Sequence, residues 1–115
     1  MADATTTLAT LKDAVRRFAA DRAWEPFHSP KNLAMGLAVE AAELMEHFLW
    51  LECAASREVV QDAAKRQEVA DELADVAVYV LNFSIALDLD LSEAIQNKIA
   101  KNAVKYPVEK YRGKF

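Results

Sequence analysis

Residues Gly36 to Trp50 read GLAVEAAELMEHFLW and place three glutamates, Glu40, Glu43 and Glu46, in a run of small, aliphatic and aromatic residues. A run of this composition predicts a helix that is largely buried. A buried carboxylate is costly unless it is paired with another group or bound to a metal. The stretch therefore predicts a helical protein in which some acidic side chains need a partner.

The overall composition agrees with an all-α fold. The chain has 115 residues, of which 53% are hydrophobic, with only two glycines and three prolines, so we expect one domain rich in helices. Its net charge of −4 gives no positive field that would attract nucleic acid or an anionic membrane. One cysteine, Cys53, and the lack of a signal-like or spanning apolar run favour a reducing, cytoplasmic location.

Capping residues and apolar spacing predict where the first two helices begin. One of the threonines at 5 to 7 caps a first helix that ends near Asp21 to Trp24. A proline-bearing loop follows, and Ser29 with Pro30 begins a second helix. We expect that helix to run to residues 50–53.

The second half of the chain predicts two more helices. Ser56 can cap a third element, which is either one helix over 57–87 or two pieces broken near residues 63–67; we favour the single helix. Asp90 and Glu93 have the spacing of a capping box for a fourth helix that ends near Lys105. Short connections favour a four-helix-bundle-like architecture. Helices two and three are apolar on almost every side, so we expect a homo-oligomer.

Two acidic pairs lie at helical spacing on different helices. Glu40 and Glu43 are three residues apart, as are Glu72 and Asp75 in DELAD, so each pair shares one helix surface. If the two surfaces face each other, four carboxylates cannot all remain ionised without a cation. Oxygen ligands alone favour Mg²⁺ or Mn²⁺ over zinc. The alternative is that the pairs are ordinary solvated faces.

Other polar and aromatic residues suggest a ligand with a base and phosphates. Tyr79 and Asn82 continue the polar line of the third helix. Loop aromatics can stack on a base, and a basic stripe can hold phosphate oxygens. Alternatively, the stripe is an ordinary lysine face and Trp50 belongs to the core. The residues in question are Trp24, His28 and Trp50 for the base, and Lys98, Asn102 and Lys105 for the phosphates.

Several motifs in this order resemble the all-α nucleoside triphosphate pyrophosphohydrolases, the MazG-like superfamily, and most of all its dCTP pyrophosphatase branch. They are WEPFHSPKNLAM, VEAAELME, EHFLW, DELAD, DVAVYVLNFS and KIAKNAVKYP. The resemblance covers residues 8–107 of a single domain over 1–115 and leaves 108–115 as a tail that matches no motif. It implies a MazG-type helical domain that forms dimers or tetramers.

The resemblance also implies a role for each matching residue. Glu40, Glu43, Glu72 and Asp75 would bind Mg²⁺, and Tyr79 and Asn82 would line the sugar or base end. Trp24, His28 and Trp50 would surround the base, and Asn32 would be a further member of the pocket. Phosphates would be met by Lys98, Asn102, Lys105 and Tyr106.

The implied reaction is Mg²⁺-dependent hydrolysis between the α and β phosphates of dCTP or a related nucleotide. Glu43 and Asp75 would act at the reaction centre, and Lys98 and Lys105 would stabilise the leaving pyrophosphate. One alternative is a pyrophosphatase with broad or non-canonical substrates. A second, of another class, is a non-catalytic helical module that only mediates assembly.

Overall fold

The computed structural model describes residues 2–114, which form six α-helices and no β-strand. The helices are α1 (Leu8–Asp21), α2 (Pro30–Glu46), α3 (Cys53–Arg57), α4 (Ala63–Ala86), α5 (Leu91–Lys105) and α6 (Val108–Tyr111). Single 3₁₀ turns lie at Glu25–Phe27 and Glu58–Gln61. The predicted all-α class is confirmed. None of the helices within 2–114 is long and apolar enough to cross a membrane.

Three of the predicted helix starts are confirmed by the capping side chains. Thr7, Ser29 and Asp90 each accept a hydrogen bond from the backbone N–H three residues later, at 3.1, 3.2 and 2.9 Å. These bonds satisfy donors that the first helical turn leaves without an intrahelical acceptor. The local sequence therefore fixes where α1, α2 and α5 begin.

The predicted single helix over 57–87 is wrong at its beginning. Glu58–Gln61 form a 3₁₀ turn, and Asp62 then caps α4 by accepting a hydrogen bond from the backbone N–H of Lys65 at 3.1 Å. Ser56 caps nothing, because its hydroxyl donates to the carbonyl of Cys53 instead. The side chain of Asp62 offers the backbone a hydrogen bond that a continuous helix would not contain. The helix is therefore interrupted, and α4 begins at Ala63.

The second helix is also shorter than predicted, because α2 ends at Glu46. The backbone N–H groups of His47 and Phe48 bond to carbonyls three residues back rather than four. This tightening turns the chain over residues 47–51, which places Trp50 outside the helix.

The ends of α1 and α4 share one capping arrangement. After α1, the N–H of Trp24 bonds to the carbonyl of Ala19, and Ala23 adopts a left-handed conformation with φ of 52°. After α4, Asp88 adopts a φ of 51° in the same hydrogen-bond pattern. This is the Schellman motif, in which glycine usually takes the left-handed position. Because Ala23 and not glycine takes this position, the sequence carries no clear stop signal, and the predicted end of the first helix spans residues 21–24.

Helix α4 is the centre of the fold and packs against both α1 and α2. The only fully or nearly buried residues within 2–114 are Ala19, Leu33, Leu81 and Ser84. The radius of gyration is 17.0 Å, whereas a compact domain of this length has roughly 13 Å. A single copy thus has a small core and an extended outline.

Candidate functional site

Pairs of residues along α2 and α4 show that the two helices run antiparallel. His47 near the end of α2 contacts Lys65 at the start of α4, and Gly36 faces Tyr79 near the other end. Between these two contacts lie the acidic residues of both helices. The antiparallel register therefore brings the acidic stripe of α2 onto that of α4.

Three carboxylates meet at this crossing. Oxygens of Glu40, Glu43 and Glu72 all lie within 4.8 Å of one another. Oε2 of Glu40 and Oε1 of Glu72 are buried and have no hydrogen-bond partner among the described residues. A buried oxygen without a hydrogen-bond donor costs free energy. The cluster thus lacks the positive partner that would offset this cost. Oxygen ligands of this kind, grouped at this distance, fit a hard divalent cation.

The proximity of the carboxylates changes their affinity for protons. Neither carboxylate has a donor while both are ionised. Once Glu40 is protonated it can donate a hydrogen bond to Glu72, which raises the pKa of Glu40 to about 7, and burial and the charge of Glu43 act in the same direction. For Glu72, the hydrogen bond from Glu40 lowers the pKa, but burial and the charges of Glu43 and Asp75 outweigh it, so its pKa is raised. The cluster thus holds a proton where a cation would relieve the same repulsion.

A cavity of about 530 Å³ opens beside the cluster between α1, the loop after it, α2 and α4. Glu40 and Asp75 form its acidic wall. Asp75 lies outside the group of three carboxylates, although its charge acts on Glu72. A cavity of this size is in the range of small-molecule sites. The remaining lining residues are Ala14, Val15, Phe18, Ala19, Trp24, His28, Val78, Tyr79 and Asn82.

Aromatic side chains from α1 and the loop after it form a further part of the cavity lining. The ring of Trp24 lies edge-on to Phe18 at 5.8 Å between centroids and to His28 at 6.4 Å. The guanidinium of Arg22 lies 3.6 Å from the centroid of Phe18, within the range of a cation–π contact. The left-handed Ala23 directs the chain so that Trp24 turns back toward α1.

Two predicted residues of α4 complete the cavity. Tyr79 and Asn82 line it one and two turns beyond Asp75. Six of the site residues predicted from the sequence therefore line the cavity: Trp24, His28, Glu40, Asp75, Tyr79 and Asn82.

Six other predicted site residues belong neither to the cavity lining nor to the carboxylate cluster of a single copy. The side-chain amide of Asn32 donates to the carbonyl of Phe27 at 3.0 Å and so holds the loop. Trp50 is 89% exposed. Tyr106 lies edge-on to Tyr111 at 5.2 Å. The other three, all on α5, are Lys98, Asn102 and Lys105, and their roles stay predictions.

Sequence reasoning missed the contribution of α1 and a glycine of α2. Phe18 and Val15 have the helical spacing of apolar packing residues, yet they line the cavity. Gly36 was given no role, although the ring of Tyr79 rests against it. The one signal for that position was that Gly36, one of only two glycines in the chain, lies inside a predicted helix.

Comparison with known proteins agrees with this geometry. Residues 36–114 match the MazG-like family. The dCTP pyrophosphatase 1 of Rattus norvegicus is 37% identical over 108 residues, which are 90% of this chain and 63% of the relative. The protein of the same name from Homo sapiens is 35% identical over 102 residues, which are 85% of this chain and 59% of the relative. The chain thus spans less than two thirds of these relatives.

A solved structure is similar over almost its whole length. It is a crystal structure of a pyrophosphatase from Archaeoglobus fulgidus, with a TM-score of 0.80 and 37% sequence identity. The match covers 87% of this chain and 92% of the archaeal chain. The helical arrangement described above is therefore shared with that protein.

Proposed function

Since the chain belongs to the MazG-like family, as its motifs predicted, we propose that it is a nucleoside triphosphate pyrophosphatase. It cleaves the bond between the α and β phosphates of dCTP or a related nucleotide and releases a monophosphate and pyrophosphate. The observation that carries the proposal is the cluster of Glu40, Glu43 and Glu72, which has two unpartnered buried oxygens beside an aromatic cavity. The names of the relatives support the same reaction.

The carboxylates are the ligands for Mg²⁺, with Mn²⁺ as the alternative. Glu40, Glu43, Glu72 and Asp75 would hold the ion, and the grouping of the first three with two oxygens that lack donors supports a cation there. When bound, the ion neutralises charge on the phosphates and lowers the pKa of water. Glu43 is the exposed member of the cluster, so in this proposal it would accept the proton of the attacking water.

The cavity orients the nucleoside by its two unlike walls. Trp24 and His28 offer aromatic edges and faces to the base, and Tyr79 and Asn82 meet the sugar or base end. With the base held against the aromatic wall, the phosphates extend toward the acidic wall. The cavity thus accounts for both ends of a nucleotide.

The residues predicted to bind phosphate lie on α5 and at its C-terminal cap, Tyr106. Lys98, Asn102, Lys105 and Tyr106 do not line the cavity within one chain. Ile99 and Val104 on the same helix are 63% and 83% exposed, which gives α5 an apolar surface for packing. We therefore propose a homo-oligomer in which α5 of one copy lies over the cavity of another. Trp50 would reach the base in the same way.

The first test is product analysis with a panel of nucleotides. The purified chain is incubated with Mg²⁺ and dCTP, dATP, dGTP, dTTP or CTP, and products are identified by anion-exchange chromatography and phosphorus NMR. Expected products are the monophosphate and pyrophosphate, and EDTA should abolish both. Comparable turnover of the whole panel would instead indicate the broad-specificity alternative.

Substitutions of carboxylates test the role of the cluster. Glu43→Gln should lower kcat by at least about 100-fold while the chain remains folded, because a positioned base contributes that much. Asp71→Asn is the control, since Asp71 is exposed on α4 next to Glu72 and bonds only to Gln67 at 2.8 Å. Full activity of Glu43→Gln would remove this residue from the reaction. No product from any triphosphate, with no effect of Mg²⁺ on Tm, would favour the non-catalytic module.

The aromatic wall is tested separately. Trp24→Ala should weaken discrimination among bases by about 10-fold and leave Mg²⁺ binding unchanged, because Trp24 lines the cavity but is not one of the clustered carboxylates. Competition assays with pairs of triphosphates measure the first effect, and calorimetric Mg²⁺ titration measures the second. An unchanged base preference would exclude Trp24 from the base site.

A further inference from the structure

Gly36 occupies the interior of α2, where glycine is among the poorest helix formers. Its φ is ordinary for a helix, so backbone conformation does not require a glycine here. Alanine would support α2 better at the same backbone angles. The reason for glycine must therefore lie in what the position faces.

The facing group is the ring of Tyr79 from α4. A Cβ built on Gly36 would lie 2.6 Å from Cζ and 2.8 Å from the hydroxyl oxygen of Tyr79, and nearer still to Cε1. Real Cβ atoms essentially never approach other heavy atoms within 3.0 Å. The aromatic ring thus lies directly on the backbone of α2 in a space that even a methyl group would fill.

This contact adjoins the candidate site. Tyr79 lines the cavity between Asp75 and Asn82, each one turn away on α4, and Glu40 lies one turn after Gly36 on α2. One side of the ring rests on α2 and another borders the open cavity. The position of the ring against α2 therefore sets how much room remains between the acidic wall and Asn82.

We propose that Gly36 is a positioning residue that seats Tyr79 against α2 and thereby sets the width of the nucleotide pocket. It acts through Tyr79 and does not touch the substrate. The position of the Tyr79 ring follows from its contact with α2 at Gly36. The effect of that position on substrate binding rests on the proposed function. The pocket of this chain is wide at Tyr79 because position 36 has no side chain.

A methyl group at position 36 would force the ring toward the cavity, which is the open side. Gly36→Ala should then raise KM by about 10-fold, the effect of a misfit of about one methylene in a binding pocket. It should leave kcat within about twofold, because the carboxylates one turn away keep their positions. A residue that only stabilised the helix would not separate KM from kcat in this way.

A double-mutant cycle tests the contact between Gly36 and Tyr79 without nucleotide. The cycle compares Tm for the wild type, Gly36→Ala, Tyr79→Leu and the double variant. In the presence of Tyr79, the added methyl should lower Tm. With Tyr79→Leu, the clash is relieved, and the better helix former should raise Tm by about 4 °C. Leucine at 79 is thus the matched background in which Gly36→Ala shows its intrinsic effect alone.

Each outcome of the cycle decides the proposal. A rise in Tm from Gly36→Ala in both backgrounds, or an unchanged KM, would overturn it. If Gly36→Ala does not fold, the double variant should fold, and failure of both would equally overturn it. A wild type that hydrolyses no triphosphate would contradict the proposed function instead. In that case Gly36→Ala should still lower Tm when Tyr79 is present and raise Tm in the Tyr79→Leu background.

Discussion

At the scale of the residue, the buried oxygens of Glu40 and Glu72 are the feature that most needs a physical cause. They lie at the crossing of two apolar helices and have no donor among residues 2–114. A protein keeps such groups when another species completes them, because each one left alone is costly. The cluster is therefore less stable without a cation than an apolar crossing of the same shape would be.

This arrangement predicts an unusual pH dependence for the metal-free protein. The pKa of Glu40 is about 7 in the folded chain against an ordinary value of 4.5, so the folded state binds the proton more tightly. The free energy of unfolding should therefore fall as pH rises from 4.5 to 7 and then level off. Urea unfolding in EDTA at several pH values measures this, and Glu40→Gln should flatten the curve. A slope that Glu40→Gln leaves unchanged would contradict the assignment.

Added Mg²⁺ should reverse this trend. Because ligands bind the ion as carboxylates, stabilisation by Mg²⁺ should be greater at pH 8 than at pH 5.5. Thermal unfolding with Mg²⁺ or EDTA at both pH values provides the comparison. Equal Tm values with and without Mg²⁺ at pH 8 would count against a metal site.

A second prediction at this scale concerns Ala23. Its φ of 52° strains an L residue, so Ala23→Gly should raise the free energy of unfolding by about 0.5 to 1 kcal/mol. Ala20→Gly is the control with the opposite sign, because Ala20 belongs to α1 and glycine weakens helices. Urea denaturation of both variants decides the point. A loss of stability in Ala23→Gly would mean that the Schellman turn is not strained.

At the scale of the element, the register of α2 against α4 determines the site. One end of this pair is fixed by Lys65, whose Nζ lies 3.0 Å from Nδ1 of His47 and 3.6 Å from Glu68. The other end is fixed by Gly36 and Tyr79. With both ends fixed, the acidic stripes between them face each other.

Removing the contact at the first end should loosen the helix pair. Lys65→Ala should lower the free energy of unfolding by about 1 kcal/mol, the usual value of one partly buried hydrogen bond. Lys101→Ala is the control, since Lys101 is exposed on α5. Urea denaturation of the two variants gives the difference. Equal stability of both would show that Lys65 does not hold the helices together.

At the scale of the whole molecule, one copy leaves much apolar surface uncovered. Large side chains along α2, α4 and α5 are exposed, including Val39, Leu73 and Ile99 at 56%, 55% and 63%. Exposed patches of this kind mark protein interfaces. A second copy would cover them and bring α5 near a cavity.

Charge on α5 should therefore disrupt assembly. Ile99→Glu should convert an oligomer to a monomer in light scattering after gel filtration, because a carboxylate at a packed interface is desolvated. Lys101→Glu is the matched control on the same helix and should leave the mass unchanged. A monomeric wild type would contradict the proposed assembly directly.

The sequence alone determined the features that depend on neighbouring residues. These are the all-helical fold, the starts of α1, α2 and α5 at Thr7, Ser29 and Asp90, and the spacing of the acidic pairs. Helical periodicity and capping act over three or four residues, so a single sequence contains them. The C-terminal end of α2 and the start of α4 were predicted less well, because weaker local signals compete there.

Only the tertiary structure decided which surfaces meet. It brought Glu72 onto Glu40 and Glu43, placed Phe18 in the cavity, and set Tyr79 on Gly36. It also left α5 away from the cavity that its lysines were predicted to serve. These facts depend on the register and rotation of helices distant in the chain, which packing of the complete side chains sets and local spacing does not.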